Sequence, residues 1–359
     1  MKENLATGVR TGNTIPAFTE SEMAPGRLKR APKSLLWWLL LASLMLISMG
    51  IFLWSNTPYD IDDAPITYRY AENIVGGNGF VYNQGERILG TNTPLYTLLL
   101  ASLGFLGMSS QTASNMLNLL GSVTLIAATM ALAWRLKKSF WLPILAGVFL
   151  LAQGSFLRYS MAGMETPVYA LLIVSILLAF AYEKTLLSAL LAGLAVLMRL
   201  DGLAVAGSIL LVCWVRQRRL PLREIAAVVL ILAPWVLFST LYFGSPLPLS
   251  MLAKQQRLQA IQASRFWIWD WLFVRPIGNG LLLLPFFLWG MIQSLRTRVD
   301  FPMWLALTWW LGAYLTAYTL VDIEFYEWYL VPAYPVLVVF AVVGLAAAYE
   351  ALSQYVPWR

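Results

Sequence analysis

Long apolar runs alternate with short polar segments along most of the chain. After a polar stretch that ends at position 33, the first run covers 34–54. The later runs are 94–108, 112–134, 141–157, 166–182, 185–199, 202–215, 224–243, 278–295, 301–320 and 328–350. A helix needs about 20 apolar residues to cross a bilayer. The pattern therefore predicts an all-α, polytopic membrane protein.

The positions of Lys and Arg predict how the chain is oriented. Basic residues precede run 34–54, which we interpret as an uncleaved signal anchor with its N-terminal flank in the cytoplasm. Run 94–108 would be about 22 Å long as a helix, so we expect it to lie in the interface. About ten transmembrane helices then remain, both termini are cytoplasmic, and the loops richest in Lys and Arg face the cytoplasm.

This topology divides the chain into three parts. We expect a cytoplasmic tail at 1–33, a transmembrane domain at 34–350 and a cytoplasmic C-terminal tail at 351–359. Two outer segments, 55–93 and 244–276, interrupt the transmembrane domain. A juxtamembrane helix is expected in the first of them. The cell (inner) membrane is the expected location, with these two segments facing the periplasm or the exterior.

Composition restricts the chemistry that the chain can perform. It is 59% hydrophobic and 12% charged, whereas soluble domains carry about 25% charged residues. The net charge of +7 comes from basic residues that flank apolar runs, so we assign it to topology and not to nucleic-acid binding. The chain has no His and one Cys, Cys213. A catalytic base must therefore be a carboxylate, Tyr or Lys.

The first outer segment places acidic residues close to a membrane helix. Asp63 suits the N-cap of a helix at 64–75, with Pro65 in its first turn. Asp62 has no such local role, and carboxylates beside a bilayer often mark function. We therefore favour Asp62 as the chemically active carboxylate, with Asp63 as the alternative.

The same loop, DDAPITYRYAENIVGGNGFVYNQGERILGTNTPLYTLLL from Asp62, resembles the first periplasmic loop of bacterial GT-C superfamily glycosyltransferases. The branch that it resembles includes mycobacterial terminal arabinofuranosyltransferases and polyprenyl-phosphate-mannose-dependent mannosyltransferases. Four further pieces follow in order: GMETPVYALL from Gly163, RLDGL from Arg199, YFGSPLPLSMLAK from Tyr242 and YEWYLVPAYP from Tyr326. The resemblance extends over about 55–340.

The resemblance implies an inverting glycosyltransferase. A sugar would move from a polyprenyl-phosphate donor to a cell-envelope glycan, lipid or protein acceptor at the outer membrane face. In that family an acidic residue of the first outer loop is the catalytic carboxylate, and the matching positions are Asp62 and Asp63. Pro65 departs from the pattern, since an aromatic or larger apolar residue is expected there, which leaves the sugar and acceptor open.

A departing phosphate needs cations, and few Lys or Arg face outward under the predicted topology. Lys254 and Arg257 share a face if 249–263 is an interfacial helix. Arg158 and Arg199 each end a predicted span on the outer side. All four are candidates for binding the donor phosphate. The alternatives are headgroup anchoring for the first two, and a buried ion pair such as Arg199 with Asp201.

A further acid, Glu165, precedes a predicted N-cap at Thr166 and a first helical residue at Pro167. The resemblance implies an acidic residue at a comparable outer site, so Glu165 is a candidate for positioning the acceptor or a metal. Asp62, Asp63 and Glu165 together are a candidate set of oxygen ligands for Mg²⁺ or Mn²⁺. The sequence leaves metal use open.

The aromatic turn that begins at Tyr326 has two interpretations. Aromatic residues at this depth commonly form an interface belt. The alternative is a wall against which a sugar ring stacks.

Three other functions remain as alternatives. A transporter or flippase of a lipid-linked sugar would share the helices, but charges or Gly and Pro breaks are then expected within the spans near the midplane. A membrane hydrolase with paired carboxylates would release free sugar. A non-catalytic scaffold agrees poorly with the acid-rich outer loop.

Overall fold

The computed structural model of the protein describes Ser43, Leu46, Gly50 and the ranges 61–250, 283–297, 300–320 and 326–353. All of them belong to the second of two compact units, Leu41–Arg359. Lys254 and Arg257 lie outside the described residues, as does the remainder of the predicted helix 249–263 beyond Ser250.

Helices with bounds inside these ranges are numbered in chain order. They are α1 (Ala64–Val75), α2 (Pro94–Gly104), α3 (Ser110–Leu136), α4 (Trp141–Leu151), α5 (Gly154–Tyr159), α6 (Thr166–Ala181), α7 (Thr185–Met198), α8 (Leu203–Gln217), α9 (Leu222–Phe243), α10 (Leu284–Arg296), α11 (Phe301–Leu320) and α12 (Tyr334–Ser353). Two 3-10 turns, Leu200–Gly202 and Glu327–Tyr329, precede α8 and α12. The predicted all-α membrane fold class is confirmed.

Four described helical segments are long and apolar enough to cross a membrane: α3, Leu200–Gln217, α9 and α12. The apolar helices α2, α4, α6 and α7 are shorter. With 11 residues, α2 is about 16 Å long, in agreement with the expectation that it does not cross. The predicted span 141–157 is divided into α4 and α5, with a break before Gly154, a poor helix former. The number of about ten crossings stays a prediction.

Helix α1 and the loop after it form a braced unit. The predicted helix 64–75 is confirmed, and it packs against α2. Buried Asn73 donates from Nδ2 to the carbonyls of Val81 and Tyr82, each at 2.8 Å. The Tyr70 hydroxyl donates to the Ile88 carbonyl at 2.7 Å. Burial raises the pKa of Tyr70, so this hydroxyl stays protonated at neutral pH.

The loop is also anchored on the end of α9. Buried Phe80 and Leu89 pack with Tyr70, and Trp235 and Tyr242 of α9 pack against them. The Phe80 and Trp235 ring centroids lie 5.3 Å apart. These contacts fix both ends of the loop, which holds positions 90–93 beside the start of α1.

The remaining helices form the core that supports this unit. Helix α3 packs against α6, α6 against α7, and α7 against α9, while α8 packs against α11 and α10 against α12. The connection 160–165 joins α5 to α6, and the connection 199–202 joins α7 to α8. Both lie next to the start of α1. These connections carry Glu165 and Arg199.

Candidate active site

A cavity of about 60 Å³ lies where these connections meet α1. Its lining residues come from six parts of the described chain: Asp63, Ile66, Thr67, Gly90, Thr91, Asn92, Thr93, Met164, Glu165, Arg199, Ser250, Trp328 and Tyr329. Two carboxylates, several hydroxyls and two aromatic rings therefore share one cavity.

Asp63 reaches this cavity from the N-cap position of α1. In the described first turn, its side chain makes no capping hydrogen bond to the backbone. The predicted helix start is therefore correct, although the carboxylate does not serve as the predicted cap. Asp62 is exposed and lies outside the lining formed by the described residues.

Three threonine hydroxyls form a chain on the wall next to Asp63. The Thr67 and Thr93 Oγ1 atoms lie 3.3 Å apart, and the Thr91 and Thr93 Oγ1 atoms lie 3.1 Å apart. All three side chains are buried. Thr67 follows Asp63 by four residues, so both face the same side of α1. This spacing was visible in the sequence, but nothing in it indicated that the face lines a cavity.

The turn before α6 brings Glu165 into the cavity lining. Gly163 has a positive φ of 74°, which favours glycine. Its carbonyl accepts hydrogen bonds from Tyr68 Oη at 3.0 Å and Ser114 Oγ at 2.7 Å. Helix α6 begins at Thr166, so Glu165 occupies the N-cap position that we predicted for Thr166. The bonds to Gly163 tie this turn to α1.

Arg199, which also lines the cavity, lies between Glu165 and Asp201. Its Nη1 donates to Glu165 Oε1 at 3.1 Å, and its Nη2 donates to Asp201 Oδ2 at 2.9 Å. Its Nε lies 3.2 Å from both Asp201 oxygens. The Arg199 side chain is only 8% exposed. The buried pair with Asp201, one of our two interpretations of Arg199, is present.

Two tyrosines of α11 complete the network. Tyr318 and Tyr314 both donate from their hydroxyls to Asp201 Oδ2, Tyr314 at 3.3 Å. The one hydroxyl hydrogen of Tyr314 is shared between Asp201 and the carbonyl oxygen of Tyr329, which lies nearer, at 2.8 Å. The two tyrosines are spaced i,i+4 and therefore share a helix face. Sequence reasoning missed them because they lie within an uninterrupted apolar and aromatic run.

The 3-10 turn Glu327–Tyr329 supplies the aromatic wall of the cavity. Trp328 is 8% exposed and Tyr329 is 5% exposed. This burial favours a wall over an interface belt. Arg158 pairs with Glu327 at 3.2 Å, and its side chain is 52% exposed. Arg158 lies outside the cavity lining that the described residues form.

The candidate metal ligands are not all brought together. Within the described ranges, no group of three His, Cys, Asp or Glu residues has the geometry to hold a metal ion. Asp63 and Glu165 line the cavity, but Asp62 is exposed and does not belong to the described lining. The described residues therefore do not form the three-carboxylate set that was a candidate for Mg²⁺ or Mn²⁺.

The sequence matches no protein-family model, and no curated protein matches it significantly. Solved structures do resemble this fold. ArnT from Cupriavidus metallidurans bound to undecaprenyl phosphate is 16% identical, with a TM-score of 0.66 over 86% of this chain and 60% of ArnT. The Archaeoglobus fulgidus oligosaccharyltransferase in complex with Zn and sulfate is 16% identical, with a TM-score of 0.61 over 88% of this chain and 50% of that enzyme.

A second structure of the archaeal enzyme, named AglB, contains an inhibitory peptide and a dolichol-phosphate. It is 14% identical, with a TM-score of 0.59 over 90% of this chain and 52% of AglB. The chain thus spans about half to three fifths of the length of these enzymes. At this level of identity the likeness concerns the fold. The chain has the GT-C fold of these membrane enzymes, as the resemblance in its outer loop implied.

Proposed function

We propose that the protein is an inverting glycosyltransferase that moves a sugar from a polyprenyl-phosphate donor to a hydroxyl group of a cell-envelope glycan, lipid or protein. One observation carries the proposal: Asp63 and Glu165 line one cavity with threonine hydroxyls and the rings of Trp328 and Tyr329. Carboxylates, hydroxyls and aromatic faces are the groups that bind and activate carbohydrate.

The similar structures support a lipid-phosphate donor. ArnT was solved with undecaprenyl phosphate, and AglB with dolichol-phosphate and a peptide. Both bound lipids are phosphate esters of long isoprenoid alcohols. This is the class of donor lipid that the resemblance of the outer loop implied.

In the proposed mechanism, Asp63 is the general base. Its carboxylate takes the proton of the acceptor hydroxyl as that oxygen bonds to the anomeric carbon. The bond between the anomeric carbon and the phosphate oxygen breaks in the same displacement, and the phosphate retains the electron pair. A single displacement inverts the anomeric centre. Asp63 is preferred over Asp62, which the sequence favours, because Asp63 lines the cavity and Asp62 is exposed.

The leaving phosphate requires cations, and the segment after Ser250 is the proposed source. Ser250 lines the cavity, and Lys254 follows it by four residues. We propose that Lys254 and Arg257 bind the donor phosphate. Replacing both with Ala is expected to raise the donor KM, and also to lower kcat, because the charge that develops on the leaving phosphate loses its stabilisation. An unchanged donor KM would refute their role.

The proposal requires the cavity to face the periplasm or the exterior, with 1–33 and 351–359 in the cytoplasm. A labelling experiment tests this. Cys213 is buried, so Cys213→Ser provides a background without thiols. Gln84→Cys in the exposed outer loop is then expected to react with a membrane-impermeant maleimide on intact spheroplasts. Reaction only after lysis would place the loop in the cytoplasm and remove the basis of the proposal.

The central test compares two neighbouring carboxylates in purified protein in lipid bilayers. Asp63→Asn is expected to lower sugar transfer from polyprenyl-phosphate donors by about 10²- to 10⁴-fold. Asp62→Asn is the matched control and is expected to retain transfer. Loss only in Asp62→Asn would move the base to Asp62. Full transfer by both variants would refute the mechanism, and lipid translocation without transfer in the unmodified protein would favour the flippase.

A further inference from the structure

We propose that Arg199 is a positioning residue that holds Glu165 at the cavity wall, and that it is not a ligand of the donor phosphate. This inference rests on the proposed function. Of the two roles that the sequence allows for Arg199, donor phosphate binding and a buried ion pair with Asp201, the inference takes the second.

The first argument is the use of the guanidinium group. All three nitrogens already donate to side chains of the protein: Nη1 to Glu165, Nη2 to Asp201 and Tyr318, and Nε to Asp201. A phosphate could gain the usual two-pronged contact only by breaking these bonds. Separating a buried Arg from a buried carboxylate leaves uncompensated charge, which is costly.

The second argument is the position of the group between two rings. The Arg199 Cζ lies 5.1 Å from the ring centroid of Tyr169 and 5.3 Å from that of Tyr329. Both distances are within the range of cation–π attraction. The rings and the bonded carboxylates fix the plane of the guanidinium. Lys at this position would retain the charge and lose the planar fork.

The third argument is the series of contacts that connects α11 to Glu165. Asp201 is held by two hydroxyls of α11, those of Tyr314 and Tyr318. Asp201 in turn holds Arg199, and Arg199 holds Glu165. Of these two carboxylates, Glu165 belongs to the described cavity lining and Asp201 does not. Helix α11 thereby fixes the orientation of a cavity carboxylate without touching the cavity itself. The expected role of this carboxylate is to orient the acceptor.

A double-mutant cycle tests the inference on kcat, donor KM and the Kd of undecaprenyl phosphate. Arg199→Lys is expected to lower kcat by about 100-fold, because a misplaced Glu165 no longer orients the acceptor. The donor KM and the Kd of undecaprenyl phosphate should change by less than about twofold. Adding Arg199→Lys to Glu165→Gln should cost no more than about threefold further, because both substitutions remove the same function.

Two results would overturn the inference. The first is a Kd of undecaprenyl phosphate that rises about tenfold or more in Arg199→Lys. The second is a double variant whose loss of kcat equals the product of the losses in the two single variants. Tyr318→Phe provides a further arm, since it weakens the network without altering a cavity residue. It should lower kcat and leave the Kd unchanged.

Arg135→Lys is the matched control. Arg135 makes a two-pronged pair with Asp300, at 3.1 and 3.2 Å, and does not belong to the described cavity lining. Its kcat should equal that of the unmodified protein. If the unmodified protein transfers no sugar, the proposed function fails. The thermal midpoints of the Arg199 and Glu165 variants then test the pair without an activity assay. If the midpoint shift of the double variant equals the sum of the two single shifts, the link between these residues is refuted.

Discussion

The Tyr68 hydroxyl donates a hydrogen bond to the carbonyl of Gly163, across a distance of 3.0 Å. This bond joins α1, which begins after Asp63, to the turn that carries Glu165. Gly163 has a positive φ, and a Cβ atom added to it would lie 2.1 Å from Tyr68 Oη. The relative position of the two cavity carboxylates therefore depends on the absence of a side chain at residue 163.

The first prediction is that Gly163→Ala lowers both transfer activity and the thermal midpoint. The new methyl group must displace the Tyr68 hydroxyl and break its bond to the turn. A resulting shift of the turn by about 1 Å can cost about 100-fold in rate. Gly85→Ala is the matched control, because Gly85 has a φ of 87° and open space around it. Both variants place an Ala at a positive φ and share that backbone strain, so the difference between them reports the contact with Tyr68.

Removing the Tyr68 hydroxyl should partly reverse this effect. Gly163→Ala combined with Tyr68→Phe removes the closest contact, although the strain of a positive φ remains. We expect the double variant to recover part of the transfer rate lost by the single variant. A double variant as inactive as Gly163→Ala would show that the contact with Tyr68 is not the cause.

The second prediction concerns Arg158, a candidate from the sequence for binding phosphate. In the structure Arg158 pairs with Glu327, next to Trp328 and Tyr329 in the cavity wall. An exposed pair of this kind stabilises a protein by only about 0–1 kcal/mol. We therefore expect Arg158→Glu to affect transfer mainly by moving the turn, through repulsion from Glu327.

The charge swap Arg158→Glu with Glu327→Arg separates the two roles. If the pair only seats the turn, the swapped pair should restore transfer and leave the donor KM near its original value. If Arg158 binds phosphate, the swap should raise the donor KM as much as Arg158→Glu alone. Donor saturation curves for the three proteins distinguish these outcomes.

The sequence predicted the parts of the site that local rules determine. The start of α1 follows from Asp63 and Pro65, because N-caps and early prolines have strong positional preferences. The role of Asp63 was harder to assign, because a good N-cap offers a sufficient local explanation for an acid. Whether its carboxylate bonds to the first turn or faces a cavity depends on residues far away in the sequence.

The network around Arg199 shows the same limit more clearly. Arg199 and Asp201 are two residues apart, so their pairing was foreseeable. Their contacts with Glu165 and Tyr318 join residues 34 and 119 positions away from Arg199. Such contacts depend on how α6, α8 and α11 pack. Apolar periodicity identifies membrane helices, but it does not specify which faces of buried helices meet.

The third prediction concerns the brace between α1 and its loop. The Asn73 side chain is buried and donates to two backbone carbonyls, those of Val81 and Tyr82. Asn73→Asp replaces this donor with a charged acceptor that faces both carbonyls. Breaking such buried bonds costs about 1–3 kcal/mol, and more for a charged group. We expect a lower thermal midpoint and faster proteolysis of the loop.

Gln84→Glu provides the control for this substitution, since it adds the same charge to an exposed position of the same loop. It should leave both the midpoint and the rate of proteolysis unchanged. Equal effects of the two substitutions would indicate that added charge, and not the lost brace, determines the stability of the loop.

The last prediction concerns the crossing of α10 and α12, which supports the end of the described chain. A Cβ atom on Gly344 would lie 1.9 Å from the carbonyl oxygen of Phe286, and one on Gly290 would lie 1.9 Å from that of Phe340. Backbone atoms cannot rotate away as a side chain can, so the two helices would have to separate. Small residues allow this close approach in membrane helices, where packing holds helices together.

We expect Gly344→Ala to lower the thermal midpoint clearly, because overpacking costs about 1–3 kcal/mol. Gly312→Ala within α11 is the matched control, since open space surrounds Gly312, and it should maintain or raise the midpoint. Equal midpoints for the two variants would mean that the helices do not approach this closely.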